Sequence, residues 1–336
     1  MVKGFLNKAA DNAWTWATGI LLMLLSLSLN LFFPENYSAF NEIKPGVNFL
    51  LDWTNYSAWL VLILQNHYFR IILQALSLVG VTIIVQYIAT NHKIIRVRSF
   101  FPFFFVCLFA AAFIPKIGSS GPFIATLFFC WSVYLLFYVE DKDNSGSIVF
   151  DSAFLLAVSS LFLHRIVYLL LLFWIILSIL QAFSIRNFFA SLIGFLSVFW
   201  ILAGVSALVG NFLFLESFAS DITNISLIDI ANLGVAGQMF CGLQIIMTLI
   251  TSVSFLASQH LDKLHTRNII YSVLLMLLFL FAICIISESL FSGYLFLFLA
   301  VESLMLAYYF SLNSSVLSKI LFGLNIVLSV IFFFRY

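Results

Sequence analysis

Long apolar runs recur along the whole chain, and no soluble-looking block separates them. A chain of this kind cannot cover itself with polar surface. Of its residues 63% are hydrophobic and 9% charged, against roughly half and about a quarter in soluble globular domains. Where lipid is the solvent, every backbone N–H and C=O must be bonded internally, which leaves helices to carry such runs. The sequence therefore predicts an all-α, polytopic transmembrane helical bundle, a single integral membrane domain over residues 1–336.

Apolar run length and the polar, Pro or Gly breaks between runs predict about 11 spans, at 14–33, 68–90, 99–115, 121–139, 148–163, 166–183, 187–209, 236–257, 269–287, 291–310 and 319–334. Several are short for a simple crossing, so that 99–115 with 121–139, and 148–163 with 166–183, also read as helical hairpins. Lys3 and Lys8 precede the first run, which ends in Phe-Phe-Pro-Glu and not in a small-residue cleavage site, so it reads as an uncleaved span. With the N-terminus inside, Lys3, Lys8, Lys93, Arg96, Arg98, Lys142, Arg186, Lys263, Arg267 and Lys319 fall on the cytoplasmic side. Lys44, Arg70, Lys116, Arg165 and Arg335 then fall outside. Cytoplasmic loops carry the excess of Lys and Arg, so this sorting predicts a cytoplasmic N-terminus.

Two external segments break the pattern. Residues 34–67 hold Glu35, Glu42, Asp52, Trp53 and Trp59, and from Asn48 onward they mix apolar and polar positions as an interfacial helix does. Residues 210–235 hold Glu216, Asp221 and Asp229, with alternating apolar positions that predict a second interfacial or re-entrant piece.

The formal net charge of +1 excludes an extended basic surface, and with it nucleic acid as a partner. Cys107, Cys130, Cys241 and Cys284 lie inside apolar runs without a CxxC or Cys/His pattern and read as small packing residues. The 41 phenylalanines read as lipid-facing and interhelical filler. There is no Walker motif, dinucleotide-binding glycine pattern or HExxH, so no cofactor and no metal are expected. Membrane lipids are the expected partners, with other membrane subunits as a further class.

What remains are isolated polar residues at or inside spans, which are costly there and carry functional readings alongside structural ones. Glu35, at the external end of the first span, and Asp52 in the interfacial segment are candidate general acids or bases, against the plainer reading of wet helix-end residues. Arg70, and the pair His164-Arg165 in a very short external connection, are candidates for holding a lipid phosphate bidentately, against headgroup snorkelling. Glu302 is placed near mid-membrane, where it serves an ion relay or a structural hydrogen bond. His92, His260 and His265 fall in basic loops and read as surface residues.

The stretch from Leu161 to Gly194, the Asn91-His-Lys-Ile-Ile loop, Phe150-Asp151 and Leu306-Ala-Tyr-Tyr-Phe310 resemble an uncharacterised family of multipass inner-membrane proteins of Gram-negative bacteria. More distantly, the order of a first span, an external acidic loop with an interfacial helix, and then many short spans is similar to the membrane glycosyltransferases of GT-C type that use polyprenyl-phosphate sugars. That resemblance implies a polyprenyl-phosphate-linked sugar as substrate, Glu35 as catalytic base with Asp52 as the alternative, and Arg165 or Arg70 on the departing lipid phosphate. The chain departs from it in having no Asp-Asp, Asp-x-Asp or Glu-Asp pair within 34–67, so an inactive relative fits as well. The competing classes are a lipid or sugar transporter or flippase, its route lined by Gln74, Gln86, Gln181, Gln244 and Glu302, and a non-catalytic membrane scaffold.

Overall fold

A computed structural model describes residues 13–32, 67–92, 94–95, 99–115, 117, 119–139, 145–209, 213–223, 225–228, 233–287, 290–313 and 315–334. They form α1 (Ala13–Phe32), α2 (His67–Asn91), α3 (Phe101–Phe113), α4 (Gly121–Phe137), α5 (Gly146–Phe162), α6 (Leu169–Ile179), α7 (Ile185–Val209), α8 (Leu213–Thr223), α9 (Gly234–Ser258), α10 (Leu264–Ile285), α11 (Phe291–Leu312) and α12 (Val316–Phe334). A 3₁₀ turn, His164–Tyr168, leads into α6. Among the described residues there is no strand, only an isolated parallel bridge between Ser226 and Ser287.

Among the described residues six helices are long and apolar enough to cross a membrane: α2, α7, α9, α10, α11 and α12. Five shorter apolar helices, α1, α3, α4, α5 and α6 with its leading turn, complete the set. Each run expected from the sequence coincides with one of these. The shortest of them are too short alone: the 13 residues of α3 make a rod of about 20 Å, against a hydrocarbon core of about 30 Å. α3 is also among the most covered helices, buried along nearly its whole surface.

Local sequence explains where helices begin and end. Pro102 and Pro122 stand in the first turns of α3 and α4, where a missing N–H costs nothing. At the end of α6, Gln181 takes a positive φ of 56°. Its N–H reaches Ser178 O and the Ala182 N–H reaches Leu177 O, which is the Schellman closure usually given to glycine. Ser184 then opens α7, its hydroxyl accepting from the Asn187 N–H, and Asn187 Nδ2 donates back to Ala182 O and to Ser145 Oγ.

Side-chain pairs fix the relative directions. The Phe105 ring stacks on Phe310 and Phe113 meets Phe296, so α3 and α11 are antiparallel. Phe322 packs on Phe101 and Phe332 on Phe113, which sets α12 parallel to α3. Thr248 bonds Glu302 and Ser258 meets Tyr308, so α9 runs parallel to α11. Gly19 lies against Cys107, and Ser26 Oγ donates to Ala111 O, aligning α1 with α3.

Two ends follow. At one, Gln74 near the start of α2 donates to Ile117 O and Ser119 O beyond α3, and Gly293 at the start of α11 abuts Pro122 of α4 and Leu163 after α5. At the other, Gly146 lies against Arg186, and Tyr308 donates to Asp262, next to Lys263. We call these the His164 end and the Lys263 end.

In a bundle whose surroundings are as apolar as its side chains, association rests on close packing and interhelical hydrogen bonds. The α4–α5 seam shows both. Ser132 Oγ donates to Ser152 O at 2.7 Å, Ser152 Oγ returns to Ser132 O at 2.8 Å, and Ser159 Oγ donates to Ala125 O at 2.8 Å. On the other side of α5, Gly194 of α7 comes so close that a Cβ there would sit 2.5 Å from Phe150 O. The central helix is α11, with 94% of its apolar window covered, whereas α12 and α7 have 22% and 28% covered and present Trp200, Leu208, Val316 and Ile320 outward. The phenylalanines of α3 are interhelical filler: Phe101, Phe105 and Phe109 are fully buried. His92, expected at the surface, is buried instead, edge-on to Phe137 and Tyr138. The rings of Tyr134, Phe137 and Tyr138 pack around it and cover it.

Candidate functional site

Glu35 and Asp52 lie outside the described residues. The helices that bracket them do not: α1 ends and α2 begins at the His164 end, because α1 runs with α3 and Gln74 anchors α2 to Ile117 and Ser119. Arg70, one turn before Gln74, lies half-buried at that same end.

His164 and Arg165 are placed by a break in the chain. Leu163 leaves the helical region with φ −127° and ψ 89°, ending α5, and the 3₁₀ turn re-enters the bundle at His164. Arg165 is buried. Its guanidinium donates to Ile286 O at the C-terminus of α10, where a cation suits the helix dipole, and its backbone N–H donates to the Tyr294 hydroxyl at 3.0 Å. His164 Nδ1 lies 3.0 Å from Asp221 Oδ2, with the imidazole 98% covered and the carboxylate 43% exposed, and the ring stands edge-on to Phe218 at 4.8 Å. Tyr168 Oη donates to Ile222 O at 2.9 Å.

These contacts tie α8 across the turn that carries His164 and Arg165. In the sequence Asp221 is only part of an acidic external segment, and its pairing with a residue 57 positions away leaves no local signal. Just beyond α8, the Ile228 N–H donates to Ile285 O and Ser226 bridges Ser287, so the alternating stretch predicted as interfacial or re-entrant docks on the end of α10.

Glu302 is elsewhere, fully buried mid-way along α11. Thr248 Oγ1 of α9 lies 2.7 Å from Glu302 Oε1 and 2.8 Å from Gln244 O. Gln244, one turn before Thr248 on the same face, is buried, and among the described residues neither its amide atoms nor Glu302 Oε2 has a partner. Asn325 of α12, likewise unpartnered and buried, joins this level: Phe332 stacks on Phe240, and two turns back along the antiparallel α12 brings Asn325 beside the level two turns on in α9.

The other polar residues offered as a route are committed elsewhere. Gln74 serves the 117–119 turn, Gln86 Nε2 donates to Ser99 O while its Oε1 accepts from the Phe103 N–H, and Gln181 closes α6. A cavity of about 20 Å³ bounded by α4, α5, α6 and α10 is walled by Phe129, Leu136, Leu156, Leu172 and Met276, too small and too apolar for a polar substrate. Among the described residues no group of three or more His, Cys, Asp or Glu is placed to hold a metal ion.

Compared with models of known families, with curated proteins and with solved structures, the chain matches none.

Proposed function

We propose that this polytopic membrane protein crosses the bacterial inner membrane eleven times with its N-terminus in the cytoplasm. Its working face is the His164 end, where it acts as a GT-C-like enzyme, or as an inactive relative, on a polyprenyl-phosphate-linked sugar in cell-envelope glycoconjugate assembly. The observation that carries the reading is positional. α1, which precedes Glu35 and Asp52 in the chain, ends and α2, which follows them, begins at the end that also holds Arg70, His164 and Arg165. A carboxylate acting with a guanidinium is the pair that transfer from a lipid phosphate asks for.

Basic residues support the orientation: Arg186, Lys263, Arg267 and Lys319 start α7, α10 and α12 at the Lys263 end, against Arg70 and Arg165 at the opposite one. In this reading Arg165 holds the rim in shape through Ile286 and Tyr294, and Arg70 is the cation that meets the phosphate. The flippase reading keeps only Gln244 and Glu302 of its five lining residues, since Gln74, Gln86 and Gln181 hold loops and helix ends. A scaffold that binds other membrane subunits is the remaining reading.

The experiment is mass spectrometry of envelope glycolipids and glycoproteins from cells carrying the wild type, a deletion, or Glu35→Gln. A truncated glycan in the deletion, reproduced by Glu35→Gln at normal protein abundance, is the result expected for an enzyme. A change in the deletion alone points to the scaffold or flippase, and unchanged glycans in both overturn the glycoconjugate role.

A further inference from the structure

The α9–α11 contact contains one hydrogen too few for its two bonds. Thr248 has a single hydroxyl proton, yet its oxygen is within bonding distance of two oxygens, Gln244 O and Glu302 Oε1. A carbonyl only accepts. If the Thr248 O–H donates to Gln244 O, the hydrogen in the second contact must come from Glu302, as a neutral carboxylic acid. If Glu302 is ionised, the Thr248 O–H turns to donate to it, and Gln244 O keeps the ordinary backbone bond of its helix. Neither form strands a donor.

We propose that Glu302, Thr248 and Gln244 form an intramembrane proton-binding site that exchanges with the Lys263 end of the bundle. The structural alternative is a permanently buried acid bonded to a threonine, and the surroundings argue against it. A purely structural acid should have its polar atoms met, whereas Glu302 Oε2, the whole Gln244 amide and the Asn325 amide are buried without partners. Gln244 offers an acceptor to the loaded acid and donors to the unloaded carboxylate.

No fixed charge holds Glu302 in one state. Among the described residues its one bonding partner is Thr248, and α2, α3, α4, α9, α10 and α12 carry no Asp or Glu. Their His67, Tyr68, Arg70, His265, Arg267 and Lys319 stand at helix ends; Tyr87, Tyr134 and Tyr271 lie toward the Lys263 end. The remaining titratable side chains on these helices are the thiols Cys107, Cys130, Cys241 and Cys284.

Hydroxyl side chains stand at intervals between this site and the Lys263 end. Past Thr248, α9 presents Thr251, Ser254 and Ser258. Ser258 Oγ lies 3.3 Å from the Tyr308 hydroxyl, which donates to Asp262 Oδ2 at 2.6 Å. Asp262 is half-exposed at the Lys263 end, where it can take a proton from water. The proton passes from water through Asp262 and Tyr308 to Glu302 and returns the same way; no electron moves.

The test is infrared spectroscopy of the full chain in lipid vesicles during transfer to D₂O. The expected result is a protonated-carboxyl band that shifts on exchange, is absent in Glu302→Gln, and moves toward the frequency of an unbonded acid in Thr248→Val. Exchange should slow by ~100-fold in Tyr308→Phe, the lower range of what a positioned proton-transfer group contributes. If Glu302→Gln fails to accumulate, the Thr248→Val displacement assigns the band. A band that never exchanges, one that exchanges equally fast in Tyr308→Phe and Asp262→Asn, or no Glu302 band at all overturns the proposal.

Discussion

Two seams of the bundle bury polar side chains, and they do it differently. Between α4 and α5, Ser132, Ser152 and Ser159 each give their one hydroxyl proton to a carbonyl across the interface, and no atom among them is left over. Between α9 and α11, with α12 alongside, Gln244, Glu302 and Asn325 leave five polar atoms unpartnered. Each such atom costs about 1–3 kcal/mol in a dry interior. Polarity that is fully answered is explained by packing and adhesion. Polarity that is not answered weakens the fold, and its retention calls for a role outside stability.

This contrast can be broken or sharpened by substitution, read as unfolding free energy in mixed micelles. The largest effect is expected beside the serine seam. Gly194→Val drives a branched side chain into the Phe150 backbone and should cost ~3 kcal/mol or more, the upper range for overpacking. Tolerance there would mean that α5 and α7 separate easily. At the other seam the sign reverses: Gln244→Leu removes two unpartnered atoms at similar size and should stabilise by ~1–2 kcal/mol. A loss of that size would show that the amide is bonded after all. Smallest is Ser152→Ala, which gives up one interhelical bond and should cost ~0.6 kcal/mol, the average for such bonds between membrane helices. A cost several times larger would mark the serine seam as more than adhesive.

Much of the fold was legible because lipid leaves the backbone little choice: eleven apolar runs became apolar helices at nearly the expected positions. The site was legible only in pieces. His164-Arg165 stood out as two polar residues in a very short break, and Glu302 as a carboxylate inside an apolar run. Their partners carried no such mark. Asp221 meets His164 across 57 positions, and Thr248 meets Glu302 across 54, through a parallel register of α9 and α11 that no local pattern encodes. Gln74 and Gln86 show the converse. Read as possible lining for a route, they instead hold the turns that join neighbouring helices, because loop carbonyls buried at a helix end need donors.

The central claim is that the polarity of the α9–α11 seam does not serve stability, and the most direct measurement of it is the unfolding free energy of Glu302→Met against wild type. Methionine nearly matches glutamate in length, and Thr248 keeps its bond to Gln244 O, so nothing is stranded. The account predicts a protein at least as stable as wild type, by up to ~2 kcal/mol. A variant less stable by ~2 kcal/mol would contradict it, because Glu302 would then be holding the bundle together as the serines do.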